Sequence, residues 1–235
     1  MSDDDTKEEQ YGRCMELYRD PGPASLGPMT NQTWYDDPRR LTFVLARYKF
    51  VAKMLQGYES VLEVGCGDAF ASTLVSQVVK RLVYIDSEPY VATRFPSDNA
   101  WLKGNTTLEV HDFVDSPMPE RFQAVFCLDV IEHIPPEQED RFMANMVASS
   151  LEHGVCIVGT PNITASEYAS KNSEIGHINL KSHDSLKETM SRSYRNVFMF
   201  GMNDEVLHTG FAAMSHYLIA LCTEPYGPGL NASAS

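Results

Sequence analysis

The sequence predicts one α/β domain built on a mostly parallel sheet, and three observations lead there. Short apolar runs alternate with segments of helical periodicity along most of the 235 residues. One run, Val61–Val64, passes directly into a glycine turn, Gly65-Cys66-Gly67, that opens a helical segment. A carboxylate, Asp86, closes the next apolar run 19 residues after Gly67. Strands joined through helices need crossover connections, which are right-handed and leave the strands parallel.

Taken in order, residues 1–10 are polar and acidic and read as disordered, and a short helix follows. Pro21, Gly22, Pro23, Gly27 and Pro28 mark a loop over 21–30. From Asp37 to about Leu55, apolar residues recur at three- and four-residue steps, with Pro38 suited to a first helical turn. Strands are expected at Val61–Val64, Leu82–Ile85, Leu108–Val110, Phe122–Leu128, Val155–Val158, Val197–Phe200 and Tyr217–Leu221. Helices are expected over Phe70–Val79, Pro136–Leu151 and Ser182–Arg192. The last two strands have no helix between them and read as an antiparallel pair at the sheet edge. The expected architecture is a three-layer sandwich: a seven-stranded, mostly parallel sheet, helices on both faces, and an antiparallel edge strand. The expected organisation is a flexible segment over 1–30, the domain over 31–222 with an N-terminal cap helix and a lid insertion at about 161–182, and a tail over 223–235.

Composition narrows the function. The net charge of −13 repels phosphate backbones and anionic membranes, no run of Lys and Arg suggests a basic patch, and Arg39-Arg40 is the longest basic pair near the N-terminus, so no nucleic-acid partner is expected. No apolar run approaches the ~18 residues of a membrane span. Asp3-Asp4-Asp5 has the wrong sign for a secretory signal. The five cysteines form no C-x-x-C pair and read as reduced thiols. These features fit a cytoplasmic protein, a monomer or homodimer, acting on a small molecule.

Gly65 and Gly67 let the backbone turn sharply and approach a ligand with no Cβ in the way, and the following helix start favours polar contacts. In a doubly wound sheet, Asp86 then lies beside that loop, where a carboxylate accepts hydrogen bonds from ribose hydroxyls. Position 70 is Phe where a dinucleotide fingerprint needs a third glycine, so a nicotinamide or flavin dinucleotide is disfavoured. A ligand with an adenosine and no phosphates fits better.

Glu63-Val64-Gly65-Cys66-Gly67-Asp68 resembles the first motif of class I S-adenosylmethionine-dependent methyltransferases, a Rossmann-like family, and the resemblance runs from about Val61 to Leu221. Cys127-Leu128-Asp129-Val130-Ile131-Glu132-His133-Ile134-Pro135 is similar to the V-I-E-H segment of its small-molecule members, including the ubiquinone O-methyltransferase group. Gly159-Thr160-Pro161-Asn162 and His177-Ile178-Asn179 also fit their pattern. The resemblance implies S-adenosylmethionine as cofactor and S-adenosylhomocysteine as product. It implies that Glu63 supports the loop and the cofactor's amino group, that Gly65, Cys66 and Gly67 pack on the methionine part, and that Asp86, with Ser87 beside it, binds the ribose. Asp112 would meet the adenine amino group, and Leu128 and Asp129 the methionine end. Phe113 would line the adenine or pack in the core.

Methyl transfer from a sulfonium needs an aligned nucleophile and exclusion of water. A base is needed only for a hydroxyl or a protonated amine. His133, just past the fourth strand, is the candidate base, or else a cap on the following helix. Asp129, Glu132 and His133 sit at i, i+3 and i+4, one face if the segment is helical, and with His177 could hold a divalent ion. A similar E-x-x-E-H pattern does so in some quinone and small-RNA methyltransferases, but position 129 is Asp rather than Glu, and no metal is the favoured reading. Trp34, Tyr35, Tyr168 and His177 are the substrate-side candidates. The alternatives are a metal-assisted RNA or catechol-type O-methyltransferase, a dehydrogenase, and a cofactor-binding module without turnover.

Overall fold

The computed structural model describes residues 7–20, 22–90, 104–168 and 175–227. The parts of the expected N-terminal segment, lid and tail that fall at 1–6, 169–174 and 228–235 lie outside the described residues.

Eight strands form one sheet: β1 (Val61–Val64), β2 (Leu82–Asp86), β3 (Thr106–Val110), β4 (Phe122–Leu128), β5 (Ser150–Pro161), β6 (Tyr194–Asn203), β7 (Val206–His208) and β8 (Tyr217–Pro225). Their order is β3-β2-β1-β4-β5-β8-β6-β7. The first five run parallel. β8 enters antiparallel between β5 and β6, and β7 pairs antiparallel at the edge. The sheet therefore has eight strands rather than seven. The extra strand lies in the stretch read as the loop joining the last two strands, where Val206–His208 is too short to show a period. Order reverses between β1 and β4, the switch point where open α/β sheets bind ligands at the strands' carboxyl ends.

Side chains alternate across each strand and feed two cores. Ala124, Phe126 and Leu128 of β4 pack on one face with Val51 of α3 (Arg39–Met54) and Leu55 just after it. Val125 and Cys127 pack on the other with Phe142 and Met146 of α5 (Glu139–Ala148) and Leu186 and Met190 of α6 (His183–Ser191). Fully burying each such side chain contributes about 1.5–3 kcal/mol, so the two cores hold the sheet without disulfides, and the five cysteines are free.

Two of the expected helices are markedly shorter, and the first packs loosely. α1 (Gly12–Arg19) is amphipathic but buries nothing. Of Phe70–Val79, only α4 (Thr73–Ser76) is helical, because the chain first turns through Gly67 and Ala69 at positive φ. α5 ends at Ala148 because β5 begins at Ser150, earlier than expected. Conversely, residues expected in the 21–30 loop start a helix, α2 (Pro28–Asp36), with Pro28 at its first position. Among the described residues no helix is long and apolar enough to cross a membrane.

Candidate active site

The glycine turn is shaped by close approach. Gly65 has φ +75° and a Cβ there would overlap Val130 Cγ2. Gly67 has φ +54° and a Cβ would lie 2.9 Å from Met29 Sδ. Both backbones sit in the left-handed region that side chains disfavour. The Gly65 and Cys66 amides donate to the Ile85 carbonyl at 2.8 and 3.1 Å, which ties the turn to the end of β2. The Gly67 amide donates to Asp86 Oδ2 at 2.8 Å, and the Glu88 amide to Oδ1 at 3.0 Å. The spacing of glycine loop and acid thus becomes direct contact. Ser87 is exposed beside Asp86.

Glu63 lies beneath the loop and is buried. Tyr48 of α3 and Ser72 donate hydroxyl hydrogen bonds to its Oε1 at 2.7 and 2.8 Å, and Oε2 has no partner. Burial pushes its pKa up from 4.5 to about 7, against the two hydroxyls, which lower it. Burial likewise raises the Cys66 thiol well above its usual range, so it is a packing thiol rather than a nucleophile. Asp68 accepts from the Thr30 amide at 2.7 Å and the Thr30 hydroxyl at 2.8 Å. That latch seats the start of α2 on the glycine turn, and Gly27 closes against Asp68 where a Cβ would collide.

At the end of β3, Asp112 is exposed and accepts the Val114 amide at 2.9 Å. Phe113 turns inward, its ring edge-on to Phe142 with centroids 5.7 Å apart. Phe113 is buried in the core on that face of the sheet.

The segment after β4 departs from a helix. Asp129 has φ +57°, and only Ile131–His133 makes a 3-10 turn. Asp129, Glu132 and His133 therefore do not share one helical face, which corrects the i, i+3, i+4 argument. Asp129 is bound through both oxygens by Arg47 Nη1 of α3, at 3.0 and 2.8 Å. The Arg47 guanidinium carbon lies 3.6 Å from the Tyr217 ring centroid. Leu128 is buried beside this pair. Glu132 turns inward: Thr160 donates to its Oε2 at 2.8 Å, while Oε1 is buried without a partner. Burial, then the Asp129 charge, pushes Glu132 up to about 8.

His133 is exposed, and its Nδ1 is 2.8 Å from the Gly176 carbonyl. A carbonyl only accepts, so Nδ1 carries a proton and donates it there. The rings of His133 and His177 stand edge to face, 5.1 Å apart. Burial, then the His133 charge, holds His177 below its usual pKa. Ligand atoms of Glu132, His133 and His177 lie within 4.8 Å of one another. Trp34, Tyr35 and Tyr168 are exposed.

Two features escaped the sequence reading. One is Arg47, whose only signal was a charge between Val44 and Val51 on an apolar stripe. The other is a buried network around Glu139. Lys181 forms an ion pair with it, Asn179 donates at 2.8 Å, Thr189 at 3.0 Å and Arg192 at 3.3 Å. Burial would raise Glu139, but Lys181 and the other donors outweigh it and leave its pKa lowered. This network fastens 179–181 to α5, and the Asn179 amide donates to the Glu132 carbonyl at 2.9 Å.

Residues 61–154 match a family model described as a methyltransferase domain. The ubiquinone biosynthesis O-methyltransferase of Rickettsia bellii (strain OSU 85-389) is 27% identical over 135 residues, covering 56% of this chain and 54% of that protein. The chain thus spans about half the length of the curated relatives it matches. Among solved structures, the methyltransferase domain of bacterial CtHen1-C aligns with a TM-score of 0.63 at 15% identity, over 76% of this chain and 97% of that one. N-methyltransferase NodS from Bradyrhizobium japonicum WM9, in complex with S-adenosyl-L-homocysteine, aligns with a TM-score of 0.58 at 16% identity, over 82% and 91%.

Proposed function

We propose that the chain transfers a methyl group from S-adenosylmethionine to a small-molecule acceptor, a reading supported by the match of residues 61–154 to a methyltransferase domain model and by the likeness of its fold to solved methyltransferases. The observation that carries this reading is the glycine turn closed onto Asp86 at the sheet's switch point. Gly65, Cys66, Gly67 and Glu63 would hold the methionine part. Asp86 with Ser87 would take the ribose, Asp112 the adenine, and Leu128 would close the cradle. When bound, the cofactor supplies a methyl on a sulfonium, an electrophile with an excellent leaving group.

The protein's own work is then positioning and proton handling. The latch between Thr30 and Asp68 brings α2 over the glycine turn and helps exclude water. His133, anchored through Nδ1 on the Gly176 carbonyl, acts through Nε2 as base toward an acceptor hydroxyl or protonated amine. The net charge of −13 favours a small acceptor over a long polyanion.

The test is calorimetric titration of wild type and Asp86→Ala with S-adenosylmethionine and S-adenosylhomocysteine. Losing charge-assisted hydrogen bonds of about 1.5–3 kcal/mol predicts roughly ten- to hundredfold weaker binding of both in the variant. No saturable binding to folded wild type refutes the reading.

A further inference from the structure

The corner formed by Asp129, Glu132, His133 and His177 has the donor set of a divalent-ion site, and the buried Glu132 Oε1 has no partner. Three of the four present ligand atoms within 4.8 Å of one another. The fourth does not join them as a free ligand. Both Asp129 oxygens are held by Arg47, whose side chain is 14% exposed and lies over Tyr217. Arg47 and Asp129 are also charge neighbours of Glu132, and Asp129 of His177. A guanidinium in this place does two things a metal would otherwise do. It neutralises a carboxylate, and it fixes the left-handed turn at residue 129. It also opposes entry of a second cation, because like charges repel most strongly where water is excluded. The four-ligand set and a bound divalent ion therefore do not fit together while Arg47 is in place.

We propose that Arg47 is the resident cation of this corner. It rests on Tyr217 and holds Asp129, organises the segment after β4 without a metal, and keeps the four side chains from acting as a divalent-cation site. Arg47 lies outside the matched domain, so the cap helix α3 supplies a positioning residue to the reaction end of the sheet. The inference does not depend on methyl transfer, and its test reads metal binding rather than turnover.

The experiment titrates Mn²⁺ into the full chain, followed by calorimetry and by the paramagnetic resonance signal of the free ion. Wild type, Arg47→Met, Arg47→Lys, Asp129→Asn and the double variant Arg47→Met/Asp129→Asn are compared, each first checked for folding by circular dichroism. Arg47→Met is expected to bind one Mn²⁺ at least about tenfold more tightly than wild type. The double variant, Arg47→Lys and Asp129→Asn are expected to stay at the wild-type level. A folded Arg47→Met with no gain overturns the proposal, and so does a gain that survives Asp129→Asn, since binding would then not use the freed carboxylate. If Arg47→Met does not fold, wild type against Asp129→Asn decides. Unchanged weak binding supports the proposal, and tighter wild-type binding that Asp129→Asn abolishes overturns it.

Discussion

Replacing Glu63 by Gln should remove part of the pH dependence of folding. The carboxyl is 1% exposed beneath the glycine turn, and burial pushes its pKa from 4.5 to about 7. Between those values the folded chain binds a proton that the unfolded chain has released. Stability from this group is therefore fully present below about pH 4.5 and is lost as pH rises through about 7. The interval corresponds to roughly 3 kcal/mol. Glutamine keeps an oxygen for the Tyr48 and Ser72 hydroxyls and cannot ionise. Urea unfolding of wild type and Glu63→Gln at pH 5 and pH 8 isolates the effect, because Glu132, pushed up to about 8, contributes to both proteins alike. Relative to wild type, the variant should gain up to about 3 kcal/mol between pH 5 and pH 8. A difference between the two proteins that does not change with pH would refute the burial argument.

Three further outcomes follow from the geometry. Gly65→Ala forces a Cβ into positive φ and onto Val130, which should cost about 1–3 kcal/mol in chemical denaturation, with part recovered in Gly65→Ala/Val130→Ala. Lys181→Met leaves Glu139 buried without its nearest cation and should cost about 3–5 kcal/mol; a thermal midpoint equal to wild type would contradict the network's role. Once an acceptor is identified, His133→Gln should lower turnover by about 10²- to 10⁴-fold while leaving S-adenosylhomocysteine affinity intact. Equal losses in both would make His133 structural.

What the sequence alone determined was set by local physics. Strand alternation and the Gly65-Cys66-Gly67 turn followed by Asp86 are short-range patterns, and the sheet reproduces them with glycine amide and carboxylate in contact. The resemblance at Glu63–Asp68 and Cys127–Pro135 likewise pointed to residues that the structure gathers at one end of β1 and β4. Tertiary structure decided what no window of neighbours contains. β8 enters between β5 and β6 through pairings more than fifty residues apart from β5. Phe113 faces the core because Phe142 is there to receive it. Asp129 leaves the expected ligand face because Arg47, 82 residues earlier, reaches it across the sheet end. Periodicity reports which side of an element is apolar, whereas the partner of a buried charge depends on which elements the fold brings together.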